Sequence, residues 1–139
     1  MKIILVDTVY CFVSDTGEIF KEMQELLEAY PNKKILLTGA DDKQFKKFGL
    51  ENMPYEVFSL EHNPEKTDPL YFQKMLAHFK LEKDEVVYFE HDPNAVKSAQ
   101  SIGINSYHYD NEKKDLNKLK LFLDTNLWWF LPINKKNVQ

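Results

Sequence analysis

Four polar side chains are the strongest candidates for chemistry in this sequence. Asp7, Thr38 and Glu90 each come at the end of a short apolar run, and Lys66 lies just before a segment with the features of a helix start. Carboxylate oxygens are ligands that Mg²⁺ prefers, whereas an ammonium group and a hydroxyl can stabilise a phosphoryl group. Gathered in one place, these side chains would hold a divalent cation and a phosphoryl group.

The elements that must position these residues alternate between strands and helices. Short apolar, β-branched runs predict strands, and apolar residues at helical spacing predict amphipathic helices. Asp68 and Asp92 are each followed by a proline, a pattern typical of a helix cap and first turn. The predicted strands are 2–6, 34–38, 55–60, 85–89 and 104–108, and the predicted helices are 18–30, 42–48, 69–79, 93–103 and 116–123.

This alternation predicts an α/β fold, namely a three-layer, Rossmann-like, doubly wound parallel sheet of about five strands. Ligands of such sheets bind beyond the carboxyl ends of the strands, where Asp7, Thr38 and Glu90 would lie. The sequence contains no internal repeat, low-complexity tract or linker rich in Pro, Gly or Ser. Residues 1–126 are therefore expected to form one core domain.

Composition and charge exclude several classes of protein and partner. The 139 residues are 43% hydrophobic and carry a formal net charge of −4, with acidic residues dispersed along the chain. A nucleic-acid partner is not expected, because binding to phosphate backbones needs a concentrated basic face. The apolar runs are too short for a membrane span, and the single cysteine excludes an intramolecular disulfide. We therefore expect a cytoplasmic protein without a membrane partner.

The order of these candidate residues along the chain resembles that of the haloacid dehalogenase (HAD) superfamily, from residue 1 to about residue 110. Its first motif, an aspartate ending strand one, corresponds to Asp7 in ILVDTVYCF. Its second, a Thr or Ser ending strand two, corresponds to Thr38 in LLTGA. Its third, a lysine before a helix, corresponds to Lys66 in KTDPLYFQKML, and its fourth, an acidic pair, to YFEHDPNAVKSAQSIGI.

The resemblance implies roles by position. Asp7 would attack phosphorus to form an aspartyl-phosphate that water later hydrolyses, and Lys66 would neutralise the charge of both groups. Thr38, Gly39 and Lys66 would bind the phosphate of a phosphorylated substrate, either a small molecule or a macromolecule. Residues 10–17 would be the flap hairpin that follows the nucleophile. The implied ligands of a Mg²⁺ cofactor are Asp7, Glu90, His91, Asp92 and, through its backbone carbonyl, Val9.

Several positions depart from the family pattern. Val9 stands where a second aspartate usually acts as general acid and base, which typically contributes about 10²–10⁴-fold to the rate. His91 replaces one carboxylate of the fourth motif, and Asp92 has a simpler explanation as a helix N-cap. Only 30 residues separate Asp7 from Thr38 and 27 separate Thr38 from Lys66, so neither gap can hold a cap domain.

These features leave two main functions open. The first is a weak, capless, Mg²⁺-dependent phosphatase that acts through Asp7, and the second is an inactive HAD-fold protein that binds a ligand, metal or protein partner. A dehalogenase is disfavoured because that branch normally requires a cap and an arginine, and this sequence contains no arginine. A response-regulator receiver is disfavoured because strand one ends with a single acid.

The remaining candidates are predicted to be structural, with one exception at the C-terminus. His62, His78 and His108 show no ligand-like spacing, and Cys11 has no obvious histidine partner. Segment 127–139 is predicted to be an apolar tail that packs on the core. The alternative is a homodimer contact through Trp128 and Trp129, because Trp is enriched at binding hot spots.

Overall fold

A parallel sheet of five strands forms the centre of the computed structural model, which describes residues 1–127. The strands are β1 (Ile3–Asp7), β2 (Lys34–Thr38), β3 (Glu56–Ser59), β4 (Val86–Glu90) and β5 (Asn105–His108). The strand order is β3-β2-β1-β4-β5, so the first strand in the sequence lies in the middle of the sheet. This arrangement is the doubly wound α/β fold predicted from the sequence.

Helices cover both faces of the sheet. Alternate residues of β1 point to opposite faces, so Ile4 and Val6 pack in one apolar layer and Leu5 in the other. The helices are α1 (Lys21–Glu28), α2 (Asp42–Lys47), α3 (Pro69–Phe79), α4 (Pro93–Ser101) and α5 (Leu116–Asn126). The first layer contains residues of α1 and α5, and the second contains residues of α3 and α4.

The helix starts follow the cap signals of the sequence. The Asp68 carboxylate accepts a hydrogen bond from the Leu70 N–H, and Pro69 occupies the first position of α3. Asp92 caps α4 in the same way, with a proline at its first position. Both caps satisfy N–H groups that a helix start otherwise leaves unpaired.

The first helix is shorter than predicted, because it begins at Lys21 and not at residue 18. The backbone just before it pairs with the loop that follows β1. Val13 forms an antiparallel bridge with Ile19, and the Phe20 N–H donates to the Phe12 carbonyl. The loop therefore uses the backbone groups that would have continued the helix.

None of the helices in residues 1–127 is long and apolar enough to cross a membrane. The chain also shows no cap domain between its strands within the described residues. Trp128 and Trp129, in the predicted apolar tail, lie outside the described residues, so the homodimer contact stays a prediction.

Candidate functional site

The carboxyl edge of the sheet brings the four candidate residues to one cleft, with three of them in direct contact. The Lys66 ammonium nitrogen lies 2.6 Å from Asp7 Oδ1 and 2.7 Å from Glu90 Oε1. Thr38 lies on the wall of the same cleft, which has a volume of about 440 Å³. The structure therefore places Asp7, Thr38, Lys66 and Glu90 around one concave space, as the order of their strands predicts.

The sheet register explains this convergence. β1 pairs with β2 on one side and with β4 on the other, and Asp7 lies opposite Leu37 in β2. Asp7, Thr38 and Glu90 therefore end three neighbouring strands at the same edge. Lys66 comes from the loop between β3 and α3, and its side chain crosses the edge to reach the carboxylates.

Asp7 is buried and accepts hydrogen bonds on both carboxylate oxygens. Its Oδ2 accepts from the His91 ring nitrogen Nδ1, from the His91 backbone N–H at 3.2 Å and from the Cys11 thiol at 3.3 Å. Burial raises the pKa of Asp7, but the Lys66 ammonium and the His91 hydrogen bond outweigh burial and hold this pKa well below its usual range. Asp7 is therefore a carboxylate at neutral pH.

Glu90 is the second buried carboxylate, and its oxygens are also fully engaged. Its Oε1 accepts from Lys66 and from the Tyr88 hydroxyl, while its Oε2 accepts from the Asp92 backbone N–H at 3.1 Å. The His91 nitrogen Nδ1 lies 3.2 Å from the same Oε2. Glu90 is thus fixed by groups from its own strand and from the start of α4.

His91 provides a second positive charge beside the two carboxylates. Burial lowers the pKa of His91, but its hydrogen bonds to Asp7 and Glu90 outweigh burial and raise the pKa to about 10. Burial likewise lowers the pKa of Lys66, and the carboxylates of Asp7 and Glu90 raise it above its usual value. Two basic side chains therefore face two buried carboxyl groups, and the positive charges of Lys66 and His91 lie beside Asp7.

The predicted phosphate-binding residues form the opposite wall of the cleft. Thr38 Oγ1 accepts from the Ala40 N–H at 3.1 Å, which leaves its own hydroxyl hydrogen available to donate. The Tyr71 hydroxyl donates to the Thr38 carbonyl at 2.8 Å and fixes the end of β2. A Cβ atom on Gly39 would lie 3.1 Å from a Glu65 carboxylate oxygen. Glycine therefore lets the Glu65 side chain approach the backbone of this wall.

His62 belongs to this wall, although it was predicted to be structural. Its ring contacts the Glu65 carboxylate at 2.9 Å and lies 3.9 Å from an Asp41 carboxylate oxygen. His62 also lines the cleft. It follows β3, so its position at a strand end was the signal that could have identified it.

The other predicted metal ligands occupy different positions. Val9 lines the cleft, and its side chain packs against the apolar layer that contains α1. Asp92 also lines the cleft, but its Oδ1 accepts from the Asn94 N–H at 2.9 Å. This carboxylate is therefore the N-cap of α4, and its assignment as a metal ligand stays a prediction.

Replacement of Asp92 distinguishes its role as a helix N-cap from any role of its negative charge. We expect Asp92→Ala to lower the free energy of unfolding by about 0.5–2 kcal/mol, because the Asn94 N–H loses its partner. Asp92→Asn keeps a capping oxygen, and we expect little change in stability. Urea unfolding of both variants measures this difference, and equal losses for Ala and Asn would contradict the cap assignment.

Cys11 was expected to have no histidine partner, but the structure brings it next to a histidine. Its Sγ atom and the His91 Nδ1 atom both contact Asp7 Oδ2. Burial raises the pKa of the Cys11 thiol well above its usual value, and the carboxylates of Asp7 and Glu90 raise it further. Cys11 is therefore a protonated thiol that donates to Asp7.

Comparison with solved structures shows that the fold is HAD-like, as predicted. A HAD family enzyme from Bacteroides thetaiotaomicron, in complex with magnesium and inorganic phosphate, shares 19% identity and a TM-score of 0.52. The match covers 63% of this chain and 51% of that enzyme, so this chain spans about half of its length. No protein-family model and no curated protein matches the sequence.

Two further structures match a larger share of the chain. One is a provisionally named β-phosphoglucomutase from Thermotoga maritima, with 14% identity, a TM-score of 0.55 and coverage of 78% of this chain and 85% of that one. The other is the core domain of a provisionally named phosphoglycolate phosphatase from Streptococcus pneumoniae. It shares 16% identity and a TM-score of 0.57, with coverage of 89% of this chain and 96% of that one.

Magnesium, which the resemblance implies, fits these donors poorly. The ion prefers oxygen ligands, but a thiol and an imidazole are the neighbours of Asp7 Oδ2. The carboxylate oxygens of Asp7 and Glu90 already accept hydrogen bonds from charged or backbone donors. To reach Asp7, Mg²⁺ would have to displace the His91 ring.

Proposed function

We propose that this chain is a slow phosphohydrolase in which the Asp7 carboxylate attacks the phosphorus of a phosphate monoester. The observation that supports this most directly is the contact of Lys66 with both Asp7 and Glu90 at the edge of the cleft. An ionised carboxylate is a nucleophile, and the ammonium group lowers the repulsion between it and an anionic phosphoryl group. The HAD-like fold of the neighbours supports the same reaction class.

Several groups of the cleft would take part in this reaction. A phosphoryl group beside Asp7 would accept hydrogen bonds from the Thr38 hydroxyl and the Gly39 N–H, and Lys66 would balance its charge. As the bond from Asp7 to phosphorus forms, the bond to the leaving oxygen breaks, and that oxygen takes a proton from water. A second water then hydrolyses the aspartyl-phosphate and restores the carboxylate.

Two features of the site would keep this reaction slow. Val9 cannot donate a proton to the leaving oxygen, so general acid catalysis is missing at that position. The His91 ring donates a hydrogen bond to Asp7 and reduces the nucleophilicity of its carboxylate. Because His91 already places a positive charge beside Asp7, we expect added Mg²⁺ to change the rate little.

The test compares the native chain with Asp7→Asn in the hydrolysis of a generic aryl phosphate, with and without Mg²⁺. We expect the variant to fall to the uncatalysed background, because an amide cannot attack phosphorus as a carboxylate does. Thr8→Ser is a suitable control, since Thr8 is a buried neighbour whose hydroxyl donates to the Leu37 carbonyl outside the cleft. Equal rates for the native chain and Asp7→Asn would refute the assignment of the nucleophile.

The second candidate is a binding protein with the same cleft and no turnover. Its support is the set of donors around Asp7, because a carboxylate that accepts bonds from Lys66, His91 and Cys11 is stabilised in its resting state. Inorganic phosphate that binds the native chain, in the absence of any Asp7-dependent hydrolysis, would favour this candidate. Isothermal titration calorimetry measures that binding.

A further inference from the structure

Asp7, Cys11 and His91 place three different metal-ligating atoms around one point. A carboxylate oxygen, the sulfur and a ring nitrogen of these residues all lie within 4.8 Å of one another. Cys11 Sγ lies 3.3 Å from Asp7 Oδ2, and His91 Nδ1 contacts the same oxygen. Hydrolysis at Asp7 uses neither the thiol nor the imidazole, so both groups need another explanation.

The three atoms are close enough together to bind one ion once the His91 ring moves back from its hydrogen-bond contact with Asp7 Oδ2. Bonds of about 2.3 Å to sulfur and about 2.0–2.1 Å to nitrogen or oxygen put neighbouring ligand atoms about 3.3–3.6 Å apart. The separation of Cys11 Sγ and Asp7 Oδ2, 3.3 Å, falls in this range. Glu90 Oε2 lies 3.2 Å from His91 Nδ1 but is not part of this three-atom cluster, so it is a neighbour of the site.

We propose that Asp7, Cys11 and His91 form a binding site for a divalent metal of the zinc class. Thiolate and imidazole are ligands of borderline and soft metals, whereas Mg²⁺ selects oxygen ligands. This site is distinct in its chemistry from the magnesium site that the family resemblance implies. It also accounts for a histidine in place of one carboxylate of the fourth HAD motif.

Metal binding at this point would leave the buried charge unchanged. The Cys11 thiol and the His91 Nδ1 each carry a hydrogen directed at Asp7 Oδ2. A divalent ion that enters displaces both protons to solvent, so two positive charges replace two protons. Lys66 contacts the other oxygen of the Asp7 carboxylate and can remain in place.

The surrounding groups already orient the proposed ligands. The Tyr10 ring lies edge-on to the His91 ring with centroids 5.3 Å apart, and Glu90 Oε2 lies 3.2 Å from His91 Nδ1. Such outer partners fix the orientation of ligands and support affinity. His91, with 27% of its side chain exposed, lines the cleft and provides the route of entry.

Titration of the tag-free full chain with Co²⁺, a spectroscopic probe for zinc sites, tests this proposal without any substrate. We expect visible d–d bands of a tetrahedral ion and a near-ultraviolet charge-transfer band from thiolate to cobalt. Cys11 is the only cysteine of the 139 residues, so this band can come only from Cys11. Zinc should abolish both sets of bands, and Mg²⁺ in large excess should leave them unchanged.

Matched variants separate this site from the other histidine of the cleft. We expect His91→Ala to weaken Co²⁺ binding by at least about tenfold, since even an outer partner of a metal ligand contributes about 10–100-fold. His62→Ala should leave the affinity unchanged, although His62 has two carboxylates nearby. Cys11→Ser should remove the charge-transfer band.

Two results would overturn the proposal. One is a cobalt spectrum of the native chain without the charge-transfer band, which needs no variant to interpret. The other is a loss of affinity in His62→Ala with none in His91→Ala. Neither result depends on phosphatase activity, so the proposed function and the metal site can fail separately.

Discussion

Lys66→Met is expected to lower the free energy of unfolding by about 3–5 kcal/mol, the usual cost of breaking a buried ion pair by removal of one partner. Lys66 Nζ lies 2.6 Å from Asp7 and 2.7 Å from Glu90, and the side chains of these acids are 3% and 0% exposed. Methionine fills a similar volume but leaves two buried carboxylates with only the His91 charge to balance them. Urea unfolding, followed by circular dichroism, measures the loss.

The matched control is Lys120→Met. Lys120 also lies 2.6 Å from a carboxylate, that of Asp124, but the two side chains are 55% and 43% exposed. We expect a loss of about 0.3–0.5 kcal/mol, because water screens an exposed pair on one helix. Equal losses at the two lysines would show that burial of the Lys66 pair has no special energetic role.

A second variant keeps the prediction testable if Lys66→Met does not fold. Addition of Glu90→Gln to Lys66→Met removes one of the two carboxylates that the first change leaves unbalanced. We expect the double variant to be more stable than Lys66→Met alone, since a neutral amide costs less to bury than an unpaired charge. A double variant that is less stable than Lys66→Met would contradict the electrostatic explanation.

The fold was predictable because the apolar runs and helix caps of the sequence agree with the way in which the chain packs. Each predicted strand corresponds to an observed strand within one or two residues, and the central strands β1, β2 and β4 are buried apolar runs, as expected for strands covered on both faces. The Asp-Pro pairs fixed the starts of α3 and α4. The start of α1 was wrong because helical spacing continues back to Ile19, whereas the backbone there forms a bridge with Val13. The periodicity of apolar residues contains no information about that competing hydrogen bond.

The positions of Asp7, Thr38, Lys66 and Glu90 around one cleft followed from topology, because parallel strands end at the same edge. The contacts of Cys11 and His91 did not follow from it. They depend on the loop after β1, where Tyr10 adopts a positive φ of 76°, and on the rotamer of His91. Sequence spacing contains little information about such a turn. Cys11, four residues after Asp7, contacts it here although the segment between them is not helical.

The second large effect is expected at Val9, which lines the cleft beside Asp7. Val9→Asp is expected to raise the rate of aryl phosphate hydrolysis by about 10²–10⁴-fold, the usual contribution of a general acid and base. The new carboxyl group would protonate the leaving oxygen and then take a proton from the water that attacks the aspartyl-phosphate. Steady-state rates of the native chain and the variant measure this gain.

Val9→Asn is the control that isolates proton transfer from the other consequences of a polar residue at this position. Asparagine has nearly the size of aspartate and the same loss of packing against the apolar layer, but it cannot exchange a proton. We therefore expect the gain with Asp and none with Asn, while urea unfolding shows a similar loss of stability for both. If Val9→Asp is folded and no faster than Val9→Asn, the missing proton donor is not what limits the site. The contacts of Asp7 with Lys66 and His91 would then be the cause, and binding without turnover becomes the better account of the cleft.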